Sequence, residues 1–180
     1  MERNCHYPTP GFTILEILAV ITVAGLIAAT VVPAVARMTE ARAFAGVHEA
    51  ARMLGYARAL GASSGHPAGI RFNSEHSTTT LVTYNGSAIT VTDSMQGMPD
   101  PITLESTYGA AITAVRLSPQ DTIGVAADTT TLWFDHRGTP HLRAEIDDSR
   151  IEIGGEPTIT FRSGASIIVN ATSGLIEVEP

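Results

Sequence analysis

The carboxyl of Glu16 is the chemical group of this sequence that most needs an explanation. Residues 12–36 contain this one charged side chain, and residues 17–36 contain none. A carboxylate in an apolar membrane span costs up to roughly 3 kcal/mol of insertion free energy, and less near the end of the span. An ionisable group retained at that cost is a functional residue by default. We therefore predict a functional role for Glu16.

A second group of residues has the chemistry of metal ligands. His136 and His141 are five positions apart, and Asp135, Asp147 and Asp148 are close to them in the sequence. A zinc site needs further ligands at a fixed spacing, and no His or Cys follows His141. The pattern favours solvated loop residues, and we predict no metal and no cofactor.

Ser64, His66 and Asp93 could be combined on paper into a hydrolase triad. Serine and histidine are common enough that such a triple carries little information, and we assign no G-x-S-x-G nucleophile element to the chain. We also assign no glycine loop that would cradle phosphates. The prediction is a protein that is not an enzyme, with a membrane-tethered enzyme as the weakest alternative.

The apolar stretch that carries Glu16 has the length of a membrane-spanning helix, which needs about 20 apolar residues. Ten of the residues 17–36 are Ile, Leu or Val, and they contribute roughly −3 to −6 kcal/mol to insertion. Insertion therefore outweighs the cost of Glu16. Pro33 is expected to kink the helix without ending it, because good helix formers follow.

The helical pattern continues beyond the span. Phe44, Val47, Ala51 and Leu54 recur at spacings of three and four, which places them on one helix face. The run of Gly, Ala and Ser at residues 61–65 should end the helix. We expect this second half of the helix to pack on a folded domain.

Two other interpretations of the N-terminus stay open. Residues 34–36 read Ala-Val-Ala just before Arg37, so residues 1–36 could be a secretory signal peptide. The apolar core is longer than the usual 7–15 residues of such a peptide, and it contains Glu16, which argues against this. An uncleaved signal anchor of unrelated function is the other alternative.

The stretch Gly11-Phe12-Thr13-Ile14-Leu15-Glu16 resembles the processing motif of the type IV pilins and the pseudopilins of type II secretion. In this family a leader ends in Gly, and Glu is the fifth mature residue. Gly25 and Pro33 also fall where the family often carries Gly and Pro. The resemblance implies that prepilin peptidase cleaves between Gly11 and Phe12, that the new amine of Phe12 is methylated, and that Glu16 acts in subunit assembly.

Residues beyond 66 read as short alternating runs separated by turn residues, which is typical of antiparallel sheet. Candidate strands are 68–73, 79–84, 88–92, 111–116, 131–135, 140–144, 157–162, 165–170 and 174–178. Ser163-Gly164 is a predicted hairpin turn. Residues 93–101 should be a loop, and 117–130 a mobile or variable segment. We predict an α+β fold, for which the resemblance implies a pilin-like domain with a long N-terminal helix.

The resulting organisation has four parts. They are a leader peptide at 1–11, a transmembrane half-helix at 12–36, a periplasmic half of the same helix at 37–61 and a β-rich domain at 62–180. The only cysteine, Cys5, lies in the leader, so no disulfide is expected. The resemblance places the leader in the cytoplasm, the chain in the inner membrane with its C-terminal domain in the periplasm, and later in a periplasmic pseudopilus.

The rest of the chain resembles, more loosely, the GspH/FimT subgroup, the H-type minor pseudopilins. This implies a structural subunit of a type II secretion pseudopilus. Expected partners are other pseudopilins, prepilin peptidase, the inner-membrane secretion platform and lipid. The alternative is a minor pilin of a type IV pilus, for adhesion, twitching or DNA uptake. Some FimT-like minor pilins bind DNA through a basic C-terminal segment, but residues 173–180 are acidic and the formal net charge is −7. No nucleic-acid partner is therefore expected.

Overall fold

The chain has an α+β fold, with one long N-terminal helix followed by antiparallel sheets. The structure, a computed structural model, describes residues 13–73, 77–90, 101–118, 121–124, 129–143 and 150–180. The helices are α1 (Ile14–Ser64) and α2 (Leu104–Tyr108). The strands are β1 (Ala68–Asn73), β2 (Thr78–Tyr84), β3 (Ala88–Thr90), β4 (Ile102–Thr103), β5 (Ile112–Ser118), β6 (Asp121–Gly124), β7 (Thr129–Phe134), β8 (Pro140–Arg143), β9 (Arg150–Glu152), β10 (Thr158–Phe161), β11 (Ser166–Val169) and β12 (Ile176–Glu179). The chain divides into two units, Met1–Met38 and Thr39–Pro180.

The first part of α1 is apolar and exposed. Its large side chains, from Ile14 to Met38, are each at least 50% exposed. The Thr22 hydroxyl donates to the carbonyl oxygens of Leu18 and Ala19, at 2.8 and 2.9 Å. In hydrocarbon, polar groups must find partners within their own segment, which this arrangement supplies. The helix is long and apolar enough to cross a membrane and is a candidate membrane anchor.

The second part of α1 is buried along one narrow face of small and aliphatic residues. This face comprises Val47, Ala50, Leu54, Ala57 and Gly61 at alternating spacings of three and four. The predicted stripe is therefore correct for Val47 and Leu54. It is wrong for Phe44, which is 38% exposed and contacts the His48 ring edge-on, with 4.6 Å between ring centroids.

Two antiparallel sheets follow the helix. The first has the strand order β3-β2-β1-β7-β8-β9, with β4 also paired to β2. Its central strand β1 places Ile70 opposite Leu81 of β2 and Leu132 of β7. The second has the order β12-β11-β10-β5-β6. Its β10–β11 hairpin confirms the turn predicted at Ser163-Gly164, where Gly164 has a φ of 93°.

The hydrophobic core joins α1 to both sheets. The buried face of α1 packs in one cluster with side chains of both, including Phe72 and Phe134 of the first sheet and Phe161 and Ile167 of the second. Gly46 adds a close approach, because a Cβ there would lie 2.7 Å from the Cβ atoms of Tyr108 and Ala110. Burial of these apolar side chains is the main stabilising contribution to the domain.

One sequence-based expectation needs correction. Residues 117–130 are predicted to be a mobile or variable segment, but among its described residues Asp121–Gly124 forms β6, which pairs with β5. The sequence also did not predict α2, β4 or β9. The short strands β4, β6 and β9 exist because β2, β5 and β8 supply their hydrogen-bond partners, which local propensity does not encode. The predicted loop at 93–101 lies almost entirely outside the described residues.

Candidate functional site

The N-terminus of α1 begins inside the Gly11–Glu16 motif. The helix starts at Ile14, and the hydroxyl and carbonyl oxygens of Thr13 both accept the N–H of Glu16, at 3.3 and 3.1 Å. Thr13 is therefore the N-cap, and Glu16 occupies the third helical position. A Ser or Thr cap followed three residues later by Glu is the capping-box pattern. Gly11 and Phe12 lie outside the described residues, so cleavage and methylation there stay predictions.

Glu16 combines two properties of the helix end. As an acidic residue in the first turn of α1, it is favoured by the positive end of the helix dipole, worth about 0.3–1 kcal/mol. Within the described residues, its carboxylate makes no ion pair or side-chain hydrogen bond. The dipole explains why a carboxylate is tolerated at this position. The carboxylate of Glu16 can therefore still pair with a cation outside the described part of the chain.

Pro33 lies inside α1, which continues past it to Ser64. This agrees with the prediction that the proline does not end the helix. The predicted kink at Pro33 stays a prediction.

Asp135 anchors the turn between β7 and β8. The Asp135 Oδ1 atom accepts the backbone N–H groups of Arg137 (2.8 Å) and Thr139 (2.9 Å). Its Oδ2 atom pairs with Arg150 Nη1 at 2.7 Å, which ties the turn to β9. Asp135 is 6% exposed, and its carboxylate has a partner for each oxygen. The residue is therefore a structural element of the turn.

The pKa of Asp135 lies below its ordinary value. Burial acts to raise this pKa, but the hydrogen bonds from the Thr139 N–H, the Arg150 guanidinium and the Arg137 N–H outweigh it. Because the folded-state pKa is below the unfolded-state pKa, the carboxylate contributes stability at pH values above the unfolded pKa. That contribution is lost as the pH falls through the folded-state pKa.

The residues predicted as weak metal candidates have separate environments. His136 is exposed on the turn, whereas His141 is 1% exposed on β8, where it lies opposite Trp133 of β7 and Glu152 of β9. In the described ranges, no three His, Cys, Asp or Glu side chains are grouped so that they could hold a metal ion. Asp147 and Asp148 lie outside these ranges.

Ser64 and His66 interact through the backbone. The Ser64 hydroxyl donates to the His66 carbonyl at 3.1 Å and accepts the His66 N–H at 3.3 Å, which closes the C-terminal end of α1. Asp93 lies outside the described residues. Contrary to the sequence analysis, residues 61–65 do match the letters G-x-S-x-G. The match lies at the end of a helix, whereas a nucleophile elbow joins a strand to a helix, and the Ser63 hydroxyl donates to the Leu60 carbonyl at 3.2 Å.

The C-terminal strand β12 is acidic on its exposed side. Glu177 and Glu179 are exposed, whereas Ile176 and Val178 are partly buried against the core. Before the strand, the Asn170 side chain closes a turn by accepting the N–H groups of Thr172 and Ser173, at 3.1 and 2.9 Å. Residues 173–180, which contain no Arg or Lys, therefore include an edge strand with two exposed carboxylates.

Sequence reasoning missed the roles of two residues, one in each unit of the chain. The role of Thr13 could have been found, because Thr-x-x-Glu before an apolar run is a signature of a helix start. The role of Arg58 on α1 could not have been found, because nothing in its neighbouring sequence distinguishes it from other arginines. Its environment depends on Gly138 and Gly174, which are distant in the chain.

The chain matches no protein-family model, no curated protein and no solved structure.

Proposed function

We propose that this chain is a minor pseudopilin, a structural and non-enzymatic subunit of a type II secretion pseudopilus. In this proposal the apolar part of α1 anchors the chain in the inner membrane, and the sheet domain lies in the periplasm. Prepilin peptidase removes residues 1–11, and the mature chain then enters a periplasmic filament. The filament drives export of folded proteins across the outer membrane.

One observation carries the proposal. The helix is capped by Thr13 immediately after the Gly11-Phe12 pair, places Glu16 in its first turn, and continues without interruption into the part that packs on the sheets. A signal peptide cleaved after Ala36 would separate the mature domain from the Thr13 cap and from Glu16. A pilin-like subunit uses each of them.

The proposed mechanism gives Glu16 a partner only after processing. Before cleavage, the nitrogen of Phe12 is a neutral amide. Cleavage creates a positive amine, and methylation leaves it charged. A carboxylate in an apolar environment is tolerated when paired and costly when alone. The pairing of Glu16 of one subunit with the amine of another would couple processing to assembly.

The first experiment measures the intact mass of the protein extracted from membranes. The proposal predicts a mature chain that begins at Phe12, with one added methyl group. A chain that begins at Arg37 would reject the proposal and support the signal-peptide interpretation. A chain that keeps Met1 at native expression would support the uncleaved anchor.

The second experiment replaces Glu16 with Gln and keeps Glu40→Gln as the matched control. The Thr13 cap accepts the backbone N–H of residue 16, and Gln is as compatible with this position as Glu, so Glu16→Gln removes the charge and spares the helix start. We expect the variant to be inserted and cleaved, but to fail in cross-linking to partner subunits and in secretion. Glu40 is exposed on the same helix beyond the span, and its variant should behave as the wild type. Normal secretion by Glu16→Gln would leave this residue only its dipole role.

The acidic edge strand β12 favours a secretion filament over a DNA-capturing minor pilin, because phosphate contacts need clustered arginine or lysine. Deletion of the gene distinguishes a secretion pseudopilus from a type IV pilus. Loss of protein export with intact twitching and DNA uptake supports the proposal, and the reverse result supports a type IV pilus.

A further inference from the structure

Arg58 lies on α1 beneath two glycine turns. A Cβ atom at Gly138 would lie 2.9 Å from Arg58 Nε, and one at Gly174 would lie 3.2 Å from the same atom. Both glycines have positive φ, 77° and 68°. The two turns also contact each other, since the Thr139 hydroxyl donates to the Thr172 carbonyl at 3.4 Å. The side chain of Arg58 is therefore held in place by backbone that leaves no room for other side chains.

The charge of Arg58 is not neutralised within the described part of the chain. Its Nε atom is buried without a hydrogen-bond acceptor. The residue is half-buried as a whole, and its two terminal nitrogens are not among the buried atoms that lack a partner. Other arginines do have partners: Arg52 pairs with Glu49 and Arg162 with Glu105. The carboxylate in the turn above Arg58, Asp135, is already engaged by Arg150.

An arrangement of this kind costs stability in the isolated chain. Desolvation of a cation is unfavourable unless an anion compensates it. The same restraint prepares the side chain for binding, because little rotamer freedom remains to be lost. A guanidinium whose Nε is covered presents its two terminal nitrogens, and these can donate two parallel hydrogen bonds to one carboxylate.

We propose that Arg58 is a docking site for a carboxylate side chain of an adjacent subunit. This inference rests on the proposed filament function and adds a contact on the folded domain, distinct from Glu16. The exposed Arg137 on the same turn adds positive charge at the site. All 11 basic residues of the chain are arginines, and its net charge is −7. A subunit with the same acidic balance as this chain presents more carboxylates than guanidinium groups, so charge complementarity favours a carboxylate at this small cationic site.

The test compares Arg58→Met with Arg162→Met in the full-length chain. Methionine keeps most of the apolar stem of Arg58 and removes the charge, whereas Arg162 is 70% exposed and serves as the control. A photo-crosslinking residue in place of the exposed His136, on the same turn as Gly138, reports contacts of another subunit near Arg58. A second one in place of Met38 reports on filament assembly through the helix.

We expect cross-links from position 136 to another subunit, reduced by about tenfold or more in Arg58→Met, because truncating one side of a buried charge pair is costly. Arg58→Lys should retain part of the yield, and Arg162→Met all of it. Cross-links from position 38 should persist in every variant. The midpoint of thermal unfolding in Arg58→Met should stay unchanged or rise, because an uncompensated charge has been removed.

Three outcomes would overturn the inference. Position 136 could form no cross-links, or its cross-link yield could be the same in Arg58→Met as in the wild type, while position 38 still forms cross-links to other subunits. The unfolding midpoint of Arg58→Met could fall clearly, which would make the residue a structural one. A labelled DNA duplex could bind the full-length protein in a manner that depends on Arg58, which would assign the site to nucleic acid. Loss of cross-links from both positions, with a chain that does not begin at Phe12, would instead overturn the proposed function and this inference with it.

Discussion

Replacement of Gly61 by alanine tests how closely α1 packs on the first sheet. A Cβ atom at this position would lie 2.7 Å from the carbonyl oxygen of Phe134 and 3.3 Å from that of Asp135. Both obstacles are backbone atoms at the end of β7, and Phe134 is paired with β1 and β8. The backbone cannot yield as a flexible side chain would. The helix end or the turn must therefore shift.

The size of the effect follows from two opposing contributions. Alanine within a helix is up to about 1 kcal/mol more favourable than glycine, and overpacking a filled site costs roughly 1–3 kcal/mol. Since the obstacle is rigid, the cost should fall in the upper part of that range. The net loss is then about 1–2 kcal/mol, or roughly 2–8 °C in the unfolding midpoint of a domain near 150 residues.

Gly55→Ala is the matched control on the same helix. The nearest atom to a Cβ at Gly55 is Ile176 Cδ1 at 3.9 Å, which is an ordinary contact, so this variant should gain up to about 1 kcal/mol. The fluorescence of Trp133, the single tryptophan, reports unfolding of the full-length protein in mild detergent. This side chain is 4% exposed and packs edge-on against Tyr84. If Gly61→Ala proved as stable as Gly55→Ala, the close approach of α1 to β7 would be refuted.

The remaining predictions concern the folded domain. The fragment 37–180 should be soluble and monomeric and should show mixed helix and sheet by circular dichroism. Recovery of aggregates alone would count against a domain boundary between residues 36 and 37. Asp135→Asn should lower the urea midpoint at neutral pH through loss of the Arg150 ion pair. The difference in midpoint from the wild type should begin to narrow below about pH 4, where the unfolded chain takes up the proton, and should narrow further as the pH falls through the lower folded-state pKa of Asp135. A difference independent of pH would contradict the ion pair. Ser77→Ala should lower the free energy of unfolding by about 1–3 kcal/mol, because the Ile112 N–H loses its acceptor. Ser77→Gly should lower it less, since glycine relieves the φ of 46°. Equal losses of stability in the two variants would argue against backbone strain at this position.

The sequence by itself determined the long N-terminal helix α1. The uncharged run at 17–36 and the Thr13-x-x-Glu16 spacing are local patterns, and a helix satisfies its backbone hydrogen bonds locally. The start and end of α1 therefore follow from residues within a few positions of each end. Strands with an alternating sequence were also predicted, because the alternation along β10 (Thr-Ile-Thr-Phe) and β12 (Ile-Glu-Val-Glu) is visible without knowledge of the partner strand.

Only the tertiary structure decided the features that depend on distant residues. The short polar segment 121–124 becomes a strand because β5 supplies its hydrogen bonds, and Phe44 is exposed although its spacing placed it on the buried face. Arg58 looks like any other helix-surface arginine in the sequence. Gly138 and Gly174 bring backbone against its guanidinium from 80 and 116 residues further along the chain. Desolvation and the lack of a counter-charge arise from that approach, and no local pattern encodes them.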